Sequence, residues 1–131
     1  MNVLFVCVEN AGRSQIAEAL FTRLTAGRHS ARSAGSAPAE RLHGQAVEVL
    51  AETGIDLRDR SPRRLAPDDL EWADLVVTMG TNGGCPRLPG KSYVDWPVPD
   101  VGEASTEETR VVRDGIAARV IDLAIELDGY E

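Results

Sequence analysis

The sequence contains few of the residues that build disulfide frameworks, metal centres or nucleic-acid interfaces. Its 131 residues include two cysteines, two histidines and a single lysine, and the formal net charge is −7. Two cysteines far apart do not form a disulfide framework, isolated histidines lack the spacing of metal ligands, and an acidic chain without a basic patch disfavours nucleic acid. We therefore expect no bound metal, no nucleic-acid partner and two free thiols, as in a reducing cytoplasm.

Long apolar runs and aromatic side chains are also scarce. The apolar run at residues 3–8 is too short to span a membrane or to form the core of a signal peptide, and aromatic residues make up 5% of the chain. A hydrophobic content of 43% is enough for one core, but the chain is too short for two ordinary domains. The sequence therefore predicts one domain over residues 1–131, without a membrane attachment, and we expect a monomer.

Short apolar segments alternate with stretches of helical periodicity. Strands are predicted near residues 3–8, 30–34, 74–79 and 92–94, and helices from residue 14, over 44–52 and 65–72, and from residue 105. The last helix has a capping box at Ser105 and Glu108 and an apolar stripe formed by Val112, Ile116, Val120, Ile121, Ala124 and Ile125. This alternation predicts an α/β three-layer sandwich, with a four-stranded parallel sheet and helices on both faces.

The most informative motif lies where the first strand meets the first helix. Cys7 ends the strand, Arg13 follows six residues later and Ser14 opens the helix. A helix N-terminus and a nearby cation favour the thiolate, which is the nucleophilic form of cysteine, whereas a cysteine without them is usually a small buried side chain. The unpaired N–H groups of the turn and the planar guanidinium also suit an oxyanion. The predicted oxyanion-binding residues are Val8, Glu9, Asn10, Ala11, Gly12 and Ser14.

Residues 3–19, VLFVCVENAGRSQIAEA, resemble the phosphate-binding loop of the low-molecular-weight protein tyrosine phosphatase superfamily, and most closely its arsenate reductase branch. The resemblance continues through SAG at 33–35, GIDL at 54–57, VVTMG at 76–80 and PD at 99–100. It implies an enzyme that binds arsenate or phosphate and holds no cofactor. The leading interpretation is arsenate reduction, and the alternative is hydrolysis of phosphotyrosine or small phosphate esters. An oxyanion-binding protein without turnover is disfavoured by the intact Cys7 and Arg13.

The resemblance also implies a general acid in the long irregular segment that precedes the last helix. An aspartate there protonates the departing oxygen in relatives, and Asp100 occupies the corresponding position. A proline usually follows that aspartate, whereas Val101 follows it here. Asp95 is the second candidate for the acid.

Arsenate reduction requires two electrons, which a second thiol supplies by attacking the arsenylated cysteine. Cys85 is the other cysteine of the chain, and its position in the sequence does not decide whether it reaches Cys7 or is a passive loop thiol. Thioredoxin-coupled relatives use three cysteines, so their relay is impossible here. Resemblance to the mycothiol-coupled enzymes favours a low-molecular-weight thiol, mycothiol or a glutathione-like molecule, with a small redoxin completing the cycle.

Two further comparisons with that superfamily concern the substrate and a metal. No aromatic residue lies at residues 36–41 or beside Asp100, where a phosphotyrosine ring needs stacking walls. Thioredoxin-coupled relatives hold potassium behind the loop with Asn, Glu, Ser and Asp; Asn10, Glu18 and Ser33 match three of these, but Pro62 stands where the aspartate is expected. We therefore expect no tight metal site and assign Asn10 the task of bracing the turn.

Overall fold

The computed structural model describes residues 1–129, which form one parallel sheet with helices on both faces. Within these residues, four strands and four helices follow one another as β1 (Asn2–Cys7), α1 (Arg13–Thr25), β2 (Ser30–Gly35), α2 (Gly44–Ala51), α3 (Pro67–Trp72), β3 (Leu75–Thr78), β4 (Ser92–Asp95) and α4 (Thr106–Asp128). The strand order is β2-β1-β3-β4, and every pairing is parallel. The predicted α/β sandwich with a four-stranded parallel sheet is confirmed.

The two faces of the sheet carry separate hydrophobic cores, because the side chains of β1 alternate between them. Val3, Phe5 and Cys7 belong to the core shared with α1, α2 and α4. Leu4 and Val6 belong to the core on the other face, which α3 and the loop after β3 cover. Since β1 lies between β2 and β3, both its faces are buried, which explains why its sequence is continuously apolar. Cys7 thus ends a central strand at the carboxyl edge of the sheet.

Helix α4 confirms its predicted start and corrects its predicted apolar stripe. Ser105 Oγ accepts a hydrogen bond from the Glu108 backbone, and Glu108 Oε1 accepts one from the Ser105 backbone, each at 3.0 Å, so the capping box is present. Ile121 and Ile125, however, are 48% and 66% exposed. An amphipathic helix buries residues three and four positions apart, and the buried series is Thr109, Ile116, Val120, Leu123, Ala124 and Leu127.

Helix α3 begins two residues later than predicted, because the preceding segment pairs with the end of β2. Gly35 N–H donates to the Arg63 carbonyl at 2.8 Å, and Leu65 N–H donates to the Gly35 carbonyl at 2.9 Å. Pro67 then occupies the first turn of the helix, where its missing N–H costs nothing. This pairing places residues 61–64 directly behind the loop that follows Cys7. No helix within residues 1–129 combines the length and apolar character needed to cross a bilayer.

Candidate active site

Most carbonyl groups of the loop between β1 and α1 are hydrogen-bonded to the segment that follows β2. The carbonyls of Cys7, Val8, Glu9 and Ala11 accept hydrogen bonds from the backbones of residues 36, 37, 39 and 43, at 2.8–3.2 Å. Within residues 1–129, the N–H groups of residues 8–12 donate no hydrogen bond to the protein. Five unpaired N–H groups beside the N-terminus of α1 form a cradle for an anion. Cys7, the predicted nucleophile, is 2% exposed and lies at the start of this cradle.

Two local features produce the tight turn. Asn10 has a left-handed backbone, with φ of 52°, a conformation that asparagine tolerates better than most residues. Gly35 passes so close to the loop that a Cβ there would lie 2.6 Å from the Val8 carbonyl oxygen. The sequence pattern SAG at the end of β2 is therefore explained by close backbone approach.

A network of hydrogen bonds behind the loop orients the Ser14 hydroxyl group toward the Cys7 sulfur. The Arg63 backbone N–H and Gln15 Nε2 both donate to Asn10 Oδ1, at 2.8 and 3.0 Å. Asn10 Nδ2 must then donate to Ser14 Oγ, which it does at 2.7 Å. Because the Ser14 oxygen accepts that bond, its own hydrogen is free for Cys7 Sγ, 2.9 Å away. The Ser14 hydroxyl is thus in position to donate a hydrogen bond to the Cys7 sulfur.

Gln15 is the member of this hydrogen-bond network that sequence reasoning missed. Its side chain is buried, and its Nε2 also contacts the Ser61 carbonyl at 3.3 Å. Its Oε1 is buried without a hydrogen-bond partner in residues 1–129. Leaving a buried acceptor unpaired is unfavourable. The contribution of the Gln15 side chain to the site is therefore the hydrogen bond that its Nε2 donates to Asn10. A polar residue just inside the helix was the available signal.

Arg13, the predicted oxyanion-binding cation, is buried at the first position of α1. Its Nη1 donates to the Val98 carbonyl at 3.1 Å, and its Nη2 lies 4.0 Å from Asp100 Oδ1. The structure thus brings the predicted arginine and the predicted acid together across 87 residues of sequence. Asp100 is held by the Gly102 N–H, which donates to Oδ1 at 3.1 Å, while its side chain stays 60% exposed.

Val101 anchors the loop that carries Asp100. It is fully buried, and a Cβ added at Gly12 would lie 2.5 Å from its Cγ2, so the valine packs directly on the phosphate-binding loop. A buried apolar contact thereby holds Asp100 at the mouth of the cradle, although no proline follows it. Asp95, the second candidate, is the last residue of β4 and accepts a hydrogen bond from Thr78 Oγ1 at 2.7 Å.

The mouth of the cradle opens into an acidic cavity of about 620 Å³. Its lining residues are Glu9, His43, Asp100, Gly102, Glu103, Ala104 and Glu108. His43 Nε2 lies 3.9 Å from Glu9 Oε1, and potential ligand atoms of Glu9, His43 and Asp100 all lie within 4.8 Å of one another. Sequence reasoning treated His43 as an isolated histidine, because its neighbours here come from distant parts of the chain.

Cys85 lies on the opposite face of the sheet from Cys7. It packs with Leu4, Val6 and Val76 and is 9% exposed. Burial raises the pKa of the Cys85 thiol, and the attraction of Arg87 only partly offsets this effect. Neither thiol forms a disulfide, and their side chains belong to different hydrophobic cores.

The positions that match a potassium site in relatives are occupied by protein contacts. Ser33 Oγ donates to Glu18 Oε1 at 3.2 Å, and the Arg60 guanidinium contacts the other carboxylate oxygen of Glu18. Asn10 is engaged with Arg63 and Gln15. A guanidinium therefore balances the charge of Glu18.

Several known proteins are similar to this chain in sequence and in fold. A putative arsenate reductase of Halobacterium salinarum is 38% identical over 95% of the chain and 91% of that protein. A glutaredoxin arsenate reductase of Synechocystis is 29% identical over 95% of the chain and 97% of that protein. A solved thioredoxin-dependent arsenate reductase of Corynebacterium glutamicum superposes with a TM-score of 0.87 at 38% identity; it covers 99% of this chain, which spans 63% of that longer protein.

A sequence profile gives the family. The profile of low molecular weight phosphotyrosine protein phosphatases matches residues 2–129, which include every candidate residue of the site. The chain belongs to the low molecular weight phosphotyrosine protein phosphatase family.

Proposed function

We propose that this chain is a thiol-dependent arsenate reductase in which Cys7 is the nucleophile. One observation carries the proposal: Cys7 Sγ lies 2.9 Å from the Ser14 hydroxyl, at the start of a loop whose backbone N–H groups are unpaired within the described residues. The names of the relatives from Halobacterium salinarum and Synechocystis, both arsenate reductases, support arsenate as the substrate.

The first step transfers arsenic to sulfur. The Cys7 thiolate attacks arsenic, an S–As bond forms and one As–O bond breaks. The departing hydroxyl group of arsenate takes a proton from Asp100 and leaves as water. The N–H groups of residues 8–12 and the Arg13 guanidinium bind the remaining oxygens, where charge builds up during the attack. The Ser14 hydroxyl stabilises the thiolate before the attack.

The second step supplies the electrons. An incoming thiolate attacks the sulfur of arsenylated Cys7, and the S–As bond breaks with its electron pair remaining on arsenic. Arsenic is reduced from As(V) to As(III) and leaves as arsenite, while the two sulfurs become a disulfide. A further thiol then reduces this disulfide and restores Cys7.

The position of Cys85 supports an external thiol. Its side chain packs on the face of the sheet opposite to Cys7, so a disulfide between them requires Cys85 to leave that core. A low-molecular-weight thiol, mycothiol or a glutathione-like molecule, enters through the open mouth instead, and a small redoxin regenerates the enzyme. Redoxin dependence in the names of two relatives supports this last partner.

The same scheme needs no resident metal or cofactor and no second subunit. All of its protein groups come from one chain, which we take to be a single domain over residues 1–131 and a monomer. Because cytoplasmic thiols are kept reduced, we place the reaction in the cytoplasm.

The alternative is a phosphatase, in which water releases the phosphorylated Cys7. The acid and the anion cradle would serve either reaction. The lining of the mouth favours the reductase, because it consists of carboxylates, small residues and one imidazole and offers no phenyl or indole wall for a phosphotyrosine ring.

Parallel assays distinguish these functions. Arsenite formation is measured with mycothiol, glutathione or thioredoxin as reductant, beside hydrolysis of an aryl phosphate without thiol. We expect thiol-dependent arsenite formation that Cys7→Ser abolishes, since a serine hydroxyl is a far weaker nucleophile. Rapid aryl phosphate hydrolysis independent of thiol would replace the proposal by the phosphatase, and tight arsenate binding without turnover under any thiol would replace it by a binding protein.

A further inference from the structure

The acidic cavity at the mouth is unexpected beside an anion-binding loop. Glu9, Asp100, Glu103 and Glu108 line it, and their charges oppose the approach of arsenate or phosphate. Arg13 is the cation next to Asp100, but it is buried and engaged by the Val98 carbonyl. Such a concentration of carboxylates suits a cation at the mouth.

His43 supplies a nitrogen ligand in this cavity and is held in place from three sides. Its backbone N–H donates to the Ala11 carbonyl at 2.9 Å. Its ring lies between two glycines: a Cβ at Gly12 would be 3.3 Å from Cδ2, and a Cβ at Gly102 would be 3.5 Å from Nε2. The absence of a side chain at Gly12 leaves room for the imidazole, a Cβ at Gly102 would make only an ordinary contact with it, and Nε2 lies 3.9 Å from Glu9 Oε1.

The two carboxylates that complete the cluster are accessible from solvent. Gly102 N–H and Arg13 both lie at Oδ1 of Asp100, which leaves Oδ2 for another partner. Glu9 and Asp100 have half-exposed or exposed side chains, so shifts of about 1 Å would bring ligand atoms now within 4.8 Å to the separations of roughly 3.3 Å found around a tetrahedral zinc ion.

We propose that Glu9, His43 and Asp100 bind a divalent transition-metal cation such as Zn²⁺, and that the bound cation inhibits the enzyme. A site with one imidazole and two carboxylates favours such transition-metal cations over Mg²⁺ or Ca²⁺, because imidazole is a poor ligand for the latter two ions. The inhibitory part rests on the proposed function, because a cation on Asp100 withholds the carboxyl group that protonates the departing oxygen. The site does not include the Cys7 sulfur.

Binding is tested in the Cys7→Ser variant, which removes the competing thiolate. Co²⁺ is titrated into this protein, and its visible d–d absorption reports the ligands. We expect saturable binding without a thiolate-to-cobalt charge-transfer band, weakened at least tenfold by adding His43→Gln or Glu9→Gln. Glu40→Gln is the matched control, since it removes an equal charge at an exposed residue outside the cavity and leaves binding unchanged.

Inhibition is tested in the wild-type protein with free Zn²⁺ set by a chelating buffer, so that the thiol reductant does not deplete it. We expect His43→Gln to raise the half-inhibitory Zn²⁺ concentration at least tenfold relative to its own basal rate. Absence of saturable Co²⁺ binding, binding left unchanged by adding His43→Gln or Glu9→Gln, or equal inhibition of the wild type and His43→Gln would each overturn the proposal. Because the Co²⁺ titration needs no turnover, failure of the proposed reductase activity would be recognised separately.

Discussion

The guanidinium of Arg13 occupies the space that a side chain at Gly80 would take. A Cβ at Gly80 would overlap Nη1 of Arg13 and lie 3.3 Å from its Cζ, and the glycine has φ of +70°. The residue that follows β3 by two positions thus makes room for the cation that begins α1. The position of the Arg13 guanidinium therefore depends on the absence of a side chain at residue 80.

Replacing Gly80 by alanine should therefore impair oxyanion binding. We expect Gly80→Ala to raise the KM for arsenate at least tenfold, because Arg13 has to leave its position. Gly83→Ala is the matched control: Gly83 also has a positive φ, of +83°, but a Cβ there meets nothing within 4 Å. Both variants should lose about 1 kcal/mol of stability from the left-handed backbone, and only Gly80→Ala should change the KM. An equal KM in the two variants would contradict the assignment.

The hydrogen-bond chain behind Cys7 predicts an effect of Gln15 on the reactivity of the thiol. Gln15→Met removes the donor that helps to orient Asn10, while its flexible side chain fills a similar volume. We expect the loss of this orienting hydrogen bond, worth about 1 kcal/mol, to slow alkylation of Cys7 by iodoacetamide roughly fivefold. Alkylation is followed by mass spectrometry, with arsenite formation measured in parallel.

Thr25→Val is the control for this experiment. Thr25 is another buried polar residue of α1, and its hydroxyl donates to the Phe21 carbonyl at 2.9 Å, far from the loop. This variant should lose stability without changing the alkylation rate. If Gln15→Met alkylates Cys7 as fast as the wild type does, the proton direction inferred for Ser14 is wrong.

Asp69 should link stability to pH. Its carboxylate is buried; burial alone would raise its pKa, but two hydrogen bonds from Arg63, one from the Ala66 backbone and the nearby charge of Arg32 outweigh this and lower it below the usual 3.8. A carboxyl group with a lowered pKa in the folded state stabilises the protein above its unfolded pKa, and this contribution is lost as the pH falls through the lowered value.

Asp69→Asn should therefore cost about 2 kcal/mol of unfolding free energy at pH 7, and the difference from the wild type should shrink as the pH falls below 3.8 and through the lowered pKa of Asp69. Urea unfolding at several pH values measures this. Asp56→Asn is the control, because Arg58 lowers the pKa of Asp56 to about 2 in an exposed pair two residues apart, where solvent screening leaves little net stabilisation. A constant difference for Asp69→Asn across the pH range would contradict the linkage.

Cys85→Ala tests the source of the second thiol. With a low-molecular-weight thiol as reductant, we expect turnover within about twofold of the wild type and a stability loss of about 1 kcal/mol from the truncated core side chain. Mass spectrometry after one turnover should show Cys7 joined to the external thiol. Loss of turnover, or a Cys7–Cys85 disulfide in the wild type, would favour the internal route.

Local sequence patterns predicted most of the elements, because their signals come from residues close together in the chain. The apolar strand ending at Cys7, the turn before Ser14 and the capping box at Ser105 and Glu108 are each contained in a few residues. The stripe of α4 was predicted less well, since periodicity alone admitted Ile121 and Ile125 to the buried face. Which side of a helix is buried depends on the elements that pack against it.

By itself, the sequence determined the fold class and singled out Cys7 and Arg13 as candidate nucleophile and oxyanion ligand, because an alternating pattern and a Cys-x5-Arg-Ser turn specify local backbone geometry. The choice of Asp100 as candidate acid came from the family resemblance. Only the tertiary structure decided that Asp100 meets Arg13, that Cys85 lies across the sheet from Cys7, and that Gln15 and His43 join the site. Apart from the contact between Gln15 and Asn10, these relationships join residues tens of positions apart, and their distances follow from how the sheet and helices pack, which linear spacing does not encode.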